Sequence, residues 1–123
     1  MSEKKKLKLK SSDVRIFFVE EHIAIQSIML RLMVKDGCAS NTIPLPKVNS
    51  KTLVMVIYYW KQHVDPKVEQ VDLEAFDAQF VDKDQATLYD FLMTANYLNI
   101  PSLLDKLFQK IADMIKGKSL KKI

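Results

Sequence analysis

Leu7 and Leu9 alternate with lysines from Lys6 to Lys10, the two-residue period of a strand with one buried and one charged face. Ser11, Ser12 and Asp13 follow as turn formers. Residues 15–19 then predict the return strand of a hairpin. Here the alternation is blurred, because Ile16, Phe17, Phe18 and Val19 are all apolar. One pair has to face away from the core, and the period alone leaves the choice open.

Beyond the hairpin the period changes to that of helices. Residues 21–26 predict a short one. Ser27 can cap a second over residues 28–36, with Met29, Leu30, Met33 and Val34 at helical spacing and Gly37 as its stop. Residues 42–45 predict a short strand, which Pro44 and Pro46 place at an edge or bulge. Asn49 or Ser50 can cap a helix reaching His63, striped by Leu53, Val56, Ile57 and Trp60. A polar stretch over residues 65–72, broken by Pro66, leads to a short helix over residues 73–80. Asp84 caps a strong helix over residues 85–98, and Asn99 suits the left-handed position behind it. Pro101 fits the first turn of a last helix, expected to stop at Gly117. Strands come first and helices dominate afterwards, the order of an α+β fold.

Composition narrows this picture. The chain has 123 residues, 48% of them apolar and 28% charged, which suits one domain with one core. No apolar run approaches the roughly 18 residues of a membrane span, so no membrane partner is expected. The first ten residues carry lysines and no apolar stretch, unlike a secretory signal. Cys38 is the only cysteine, which excludes a disulfide within the chain and fits a reducing compartment. The net charge of +4 is concentrated at the ends. Nine of the 19 basic residues lie in the first ten and last eight positions, and the middle is net acidic. Such ends read as solvated tails, and without interleaved aromatic and basic residues no nucleic-acid partner is expected.

Catalytic chemistry finds no support. Gly37 and Gly117 stand alone, so no glycine-rich phosphate loop is present. His22 and His63 are far apart in sequence, and one cysteine cannot complete a recognisable zinc set. Cys38 has no evident activating neighbour, and no carboxylate pair stands out. The expectation is a non-enzyme with no catalytic residue, metal or cofactor.

The last two helices carry the stronger signal. Leu88, Phe91, Leu92, Ala95 and Leu98 form one stripe, and Tyr89, Met93, Asn96 and Tyr97 widen it beyond a core-facing side. Leu103, Leu104, Leu107, Phe108, Ile111, Met114 and Ile115 make a second broad face. Core packing is the ordinary explanation of either stripe. Together they exceed what a small domain easily hides, which points to an interaction surface.

The segments LKLKSSD, PLPKVNSK, VIYYWKQHV, DKDQATLYDFLMTANYLNI and IADMIKGKS closely resemble the Skp adaptors of SCF (Skp–cullin–F-box) ubiquitin ligases, the plant members in particular. The resemblance runs from Leu7 to Ser119. It implies a BTB/POZ domain over residues 1–98, which binds a cullin, and a shortened F-box-binding helical extension over residues 99–123. It implies an adaptor that bridges a cullin to F-box substrate receptors in the nucleus and cytoplasm. Asn96 and Tyr97 match the family's cullin-binding pair, with Leu88 and Leu92 as apolar cullin contacts. Leu103, Leu104, Leu107, Phe108, Ile111 and Met114 would form what remains of the F-box face. The family continues into two further helices after IKGK, so weakened F-box binding is expected. Val14 stands where the family has a hairpin glycine, and Ile16 and Phe18 stand at strand positions usually polar. The alternative is a BTB-type self-association or scaffolding module, and a weak homodimer is a further expectation.

Overall fold

The computed structural model describes the backbone of residues 5–122 and the side chains of residues 5–116. Strands β1 (Lys6–Lys10) and β2 (Ile16–Glu20) form the hairpin. Helices α1 (Glu21–Ala24) and α2 (Ile28–Lys35) follow, then β3 (Ile43–Pro44). The rest is helical: α3 (Ser50–Val64), α4 (Gln70–Phe80), α5 (Gln85–Leu98) and α6 (Pro101–Lys122). Among the described residues, no helix is long and apolar enough to cross a membrane.

The sheet has the order β2-β1-β3. In the antiparallel hairpin, Leu7 lies opposite Val19 and Leu9 opposite Phe17. The ambiguity in β2 is thereby settled: Val19 is buried and Phe17 half-buried, while Ile16 and Phe18 face outward. β3 joins the other side of β1 in parallel, with Ile43 beside Leu9. It is shorter than the four residues expected, and Pro44 sits on an edge strand, where a missing N–H costs least.

The hairpin turn is tied to α3. Asp13 accepts from the Ser50 N–H at 2.8 Å and from the Ser50 and Ser11 hydroxyls. These hydrogen bonds hold its carboxyl down at about 2. Asn49 rather than Ser50 caps α3, accepting from the Thr52 N–H at 2.8 Å.

Trp60, Tyr59, Leu53 and Val56 of α3 form the centre of the core, with Leu30 of α2 and Phe91, Ala95 and Leu98 of α5 around it. An aromatic row continues it: the Phe80 ring stacks on Phe91 at 4.9 Å, and Tyr59 lies 5.2 Å from Phe80. Burial pushes the Tyr59 phenol up to about 12, and its hydroxyl lies 2.8 Å from the Ser102 hydroxyl. That bond fastens α3 to the first turn of α6. His63 Nε2 meets Asp77 Oδ1 at 2.7 Å and fastens α3 to α4.

Most boundaries fall within one residue of the sequence expectation, and three helix boundaries differ by two or more. α1 ends at Ala24, two residues early. α4 starts at Gln70 rather than residue 73, because its first turn needs no apolar face of its own to be helical. α6 does not stop at Gly117 but continues to Lys122. A glycine inside a helix costs only about 1 kcal/mol against alanine, and the residues around it are otherwise helix-compatible. Ser119 lies inside α6.

Candidate functional site

The corner between α5 and α6 is held from behind by α2. Ser27 is fully buried. Its hydroxyl accepts from the Leu30 N–H at 3.1 Å, capping α2, and donates to the Leu98 carbonyl. The Ile28 N–H donates to the Asn99 carbonyl at 2.8 Å. Asn99 takes the left-handed conformation at φ 55°, as expected for the residue that ends α5. The Ile100 N–H closes the turn onto the Ala95 carbonyl at 2.9 Å. With the corner fastened, α6 runs back along α5.

Between them lies an apolar groove of about 200 Å³, lined by Gln85, Leu88, Tyr89 and Leu92 of α5 and by Ile111, Met114 and Ile115 of α6. Leu88 and Leu92 thus meet Ile111 and Met114, residues that the sequence assigned to a different partner. Leu88 is buried and forms part of the core, whereas Leu92 is half-buried. Leu103 and Leu107 are also buried in the core and present no surface. Leu104, Ile111 and Met114 are half-buried, and Phe108 is exposed. At four-, three- and four-residue steps, Leu104, Phe108, Ile111 and Ile115 form one ridge along α6.

Asn96 and Tyr97 lie apart from this groove. They occupy the C-terminal turn of α5, about 13 Å along the helix axis from Leu88. Asn96 is exposed and Tyr97 half-buried. The Lys47 ammonium stands 5.9 Å from the centre of the Tyr97 ring, an arrangement that favours a cation over the ring face. The two proposed binding sets therefore divide differently from the sequence expectation. Tyr97 turns toward the loop after β3, and Leu88 and Leu92 turn toward α6. Gln85, Tyr89 and Ile115 also line the groove, although the sequence did not assign them to a site. Tyr89 and Ile115 had a legible signal, since each widens an apolar stripe that was already broad.

The small sheet packed on helices is that of a BTB/POZ-type domain. Residues 5–65 match the Skp1 family, tetramerisation domain. The chain is 48% identical over 130 residues to SKP1-like protein 1A of Arabidopsis thaliana, covering 97% of this chain and 81% of that one. It is 46% identical over 141 residues to SKP1-like protein 1 of Oryza sativa subsp. japonica, covering 98% and 82%. The chain belongs to the Skp1 family.

Proposed function

We propose that the chain is an adaptor subunit of an SCF-type ubiquitin ligase. It holds a cullin on one face and an F-box protein on another, without catalysing a reaction itself. The observation that carries this reading is the pair of separate surfaces on α5 and α6. One is an amide–tyrosine corner and the other an apolar groove with an exposed ridge, and an adaptor needs two surfaces that can be filled at once. Kinship to SKP1-like proteins supports the choice of partners. In this reading Asn96 and Tyr97 contribute to the cullin side, and Leu92, expected there from the resemblance, lines the groove on the F-box side instead. An aromatic ring with a polar tip beside an amide suits an interface anchor. Leu104, Phe108, Ile111 and Met114, with Tyr89 and Ile115, receive the F-box. Leu88, Leu103 and Leu107 support these surfaces from within the core.

Titration with a cullin N-terminal domain and with an F-box segment tests the assignment. Asn96→Lys combined with Tyr97→Ala should weaken cullin binding by about 30-fold, equivalent to ~2 kcal/mol, and leave F-box binding unchanged. Phe108→Glu combined with Ile115→Glu should do the reverse. If neither partner binds the parent chain, or both variants bind like the parent, the reading fails.

A further inference from the structure

β2 is an outer strand of the sheet, with β1 as its only neighbour among the described strands. The parity of the hairpin decides what its open edge offers. The Glu21 N–H donates to the Lys5 carbonyl at 2.7 Å, and the Ser11 N–H donates to the Arg15 carbonyl at 2.9 Å. Hydrogen-bonded and non-bonded pairs alternate along an antiparallel ladder. In the observed register the bonded pairs are therefore Leu7 with Val19 and Leu9 with Phe17. The N–H and C=O groups of Ile16 and Phe18 point to the open side. An edge of this kind accepts a further strand unless a lysine, a proline or a bulge blunts it. β2 contains no lysine or proline and pairs with β1 without a bulge.

The two faces of that edge differ in chemistry. On the outer face, Ile16 and Phe18 are 42% and 64% exposed, and Lys10 and Lys8 stand directly behind them on β1. The Lys8 ammonium lies 6.0 Å from the centre of the Phe18 ring, so it leans over β2 toward the open edge. Across the two strands three lysines stand against a single carboxylate, Glu20, which lies at the far end opposite Lys6. On the inner face, Phe17 of β2 and Val54, Ile57 and Tyr58 of α3 line an open hollow of about 320 Å³, together with Lys61. The outer face is therefore basic and the inner face apolar.

We propose that β2 takes an extended segment of another protein as a fourth strand of the sheet, and that this segment alternates acidic and aliphatic residues. An antiparallel strand bonded to Ile16 and Phe18 sets its own residues opposite those two on the outer face. Neighbouring strands lie about 4.8 Å apart. A glutamate opposite Phe18 then reaches the Lys8 ammonium over the ring, and one opposite Ile16 reaches Lys10. The residues between them point to the inner face, where branched aliphatic side chains fill the hollow over Phe17, Val54 and Tyr58. Main-chain bonds supply affinity and the alternate side chains supply selectivity, the division of labour in strand addition generally. Lys47, at the Tyr97 corner, follows β3 on the other side of β1. The added strand thus leaves that corner and the α5–α6 groove open, and the inference does not rest on the adaptor reading.

Fluorescence anisotropy of a labelled, end-blocked peptide Thr-Val-Glu-Ile-Glu-Val-Thr, titrated with the 123-residue chain, tests the proposal. Saturable one-to-one binding is expected, with a dissociation constant below about 1 mM. Replacing both glutamates of the peptide by lysine should weaken binding at least ~10-fold, because like charges then face Lys8 and Lys10. Methylating the two glutamate amide nitrogens keeps the charge and removes two strand hydrogen bonds, and should also weaken binding at least ~10-fold. In the chain, Lys8→Glu should weaken binding about fivefold or more, and Tyr89→Glu, in the α5–α6 groove, should leave it unchanged. The two peptide variants decide the matter if Lys8→Glu disturbs folding. Failure of the parent peptide to saturate overturns the proposal. Equal binding of the N-methylated peptide also overturns it, since a charged surface alone would then account for the contact. So does a chain that binds phosphatidylserine vesicles and not the peptide.

Discussion

Two non-glycine residues among the described residues occupy the left-handed backbone region, and they differ in how well they suit it. Asn99 at φ 55° is a short polar residue at the end of α5, a common occupant of that region. Val14 at φ 67° is β-branched and largely exposed, so strain is not offset by burial. The turn requires this conformation because the Val14 N–H reaches back to the Ser11 carbonyl at 3.0 Å while Ser11 and Arg15 close the hairpin. Val14→Gly should therefore stabilise the fold by about 1 kcal/mol, the relieved strain less the added chain entropy of glycine. Urea unfolding of the two proteins measures the difference. A loss of stability would show that the valine methyl groups contribute more than the strained backbone costs.

At the scale of elements, cap chemistry is the most transferable signal. Ser27, Asn49 and Asp84 each accept from the N–H three residues ahead, because a cap depends on local geometry. Ser27 does more than that local role predicts, since its buried hydroxyl also donates to the Leu98 carbonyl and joins α2 to the end of α5. Ser27→Ala should cost about 2 kcal/mol, the loss of a cap together with an unsatisfied buried carbonyl. Denaturant midpoints at unchanged slope would measure it, and a cost below about 0.5 kcal/mol would mean that the hydroxyl contributes little. The start of α4 and the passage of α6 through Gly117 were not legible in this way. Propensity is a weak bias that neighbouring turns can override, and a lone glycine is a helix stop only when the chain turns there.

Across the whole molecule, the corner at Asn96 and Tyr97 lies in the last turn of α5, and the groove runs along its first half from Gln85 to Leu92. A cullin domain and an F-box segment should therefore bind without competing. In a saturating cullin titration, F-box affinity should change by less than about threefold, and mutual exclusion would place both on one surface. The α+β order, the caps, the hairpin and the excess of apolar surface on α5 and α6 follow from the sequence by itself, because periodicity and capping are properties of neighbouring residues. Tertiary structure alone decided which side of β2 is exposed. Four consecutive apolar residues look the same under a one-residue slip, and only pairing with Leu7 and Leu9 of β1 turns Val19 inward and Phe18 outward. The division of the α5 stripe was decided in the same way. Leu88, Leu92, Asn96 and Tyr97 look like one set along a broad face, but α6 packs along the first half of α5 and the loop at Lys47 lies against its end. Which neighbour an apolar side chain meets is set by how the helices pack, and no spacing within a single helix contains that information.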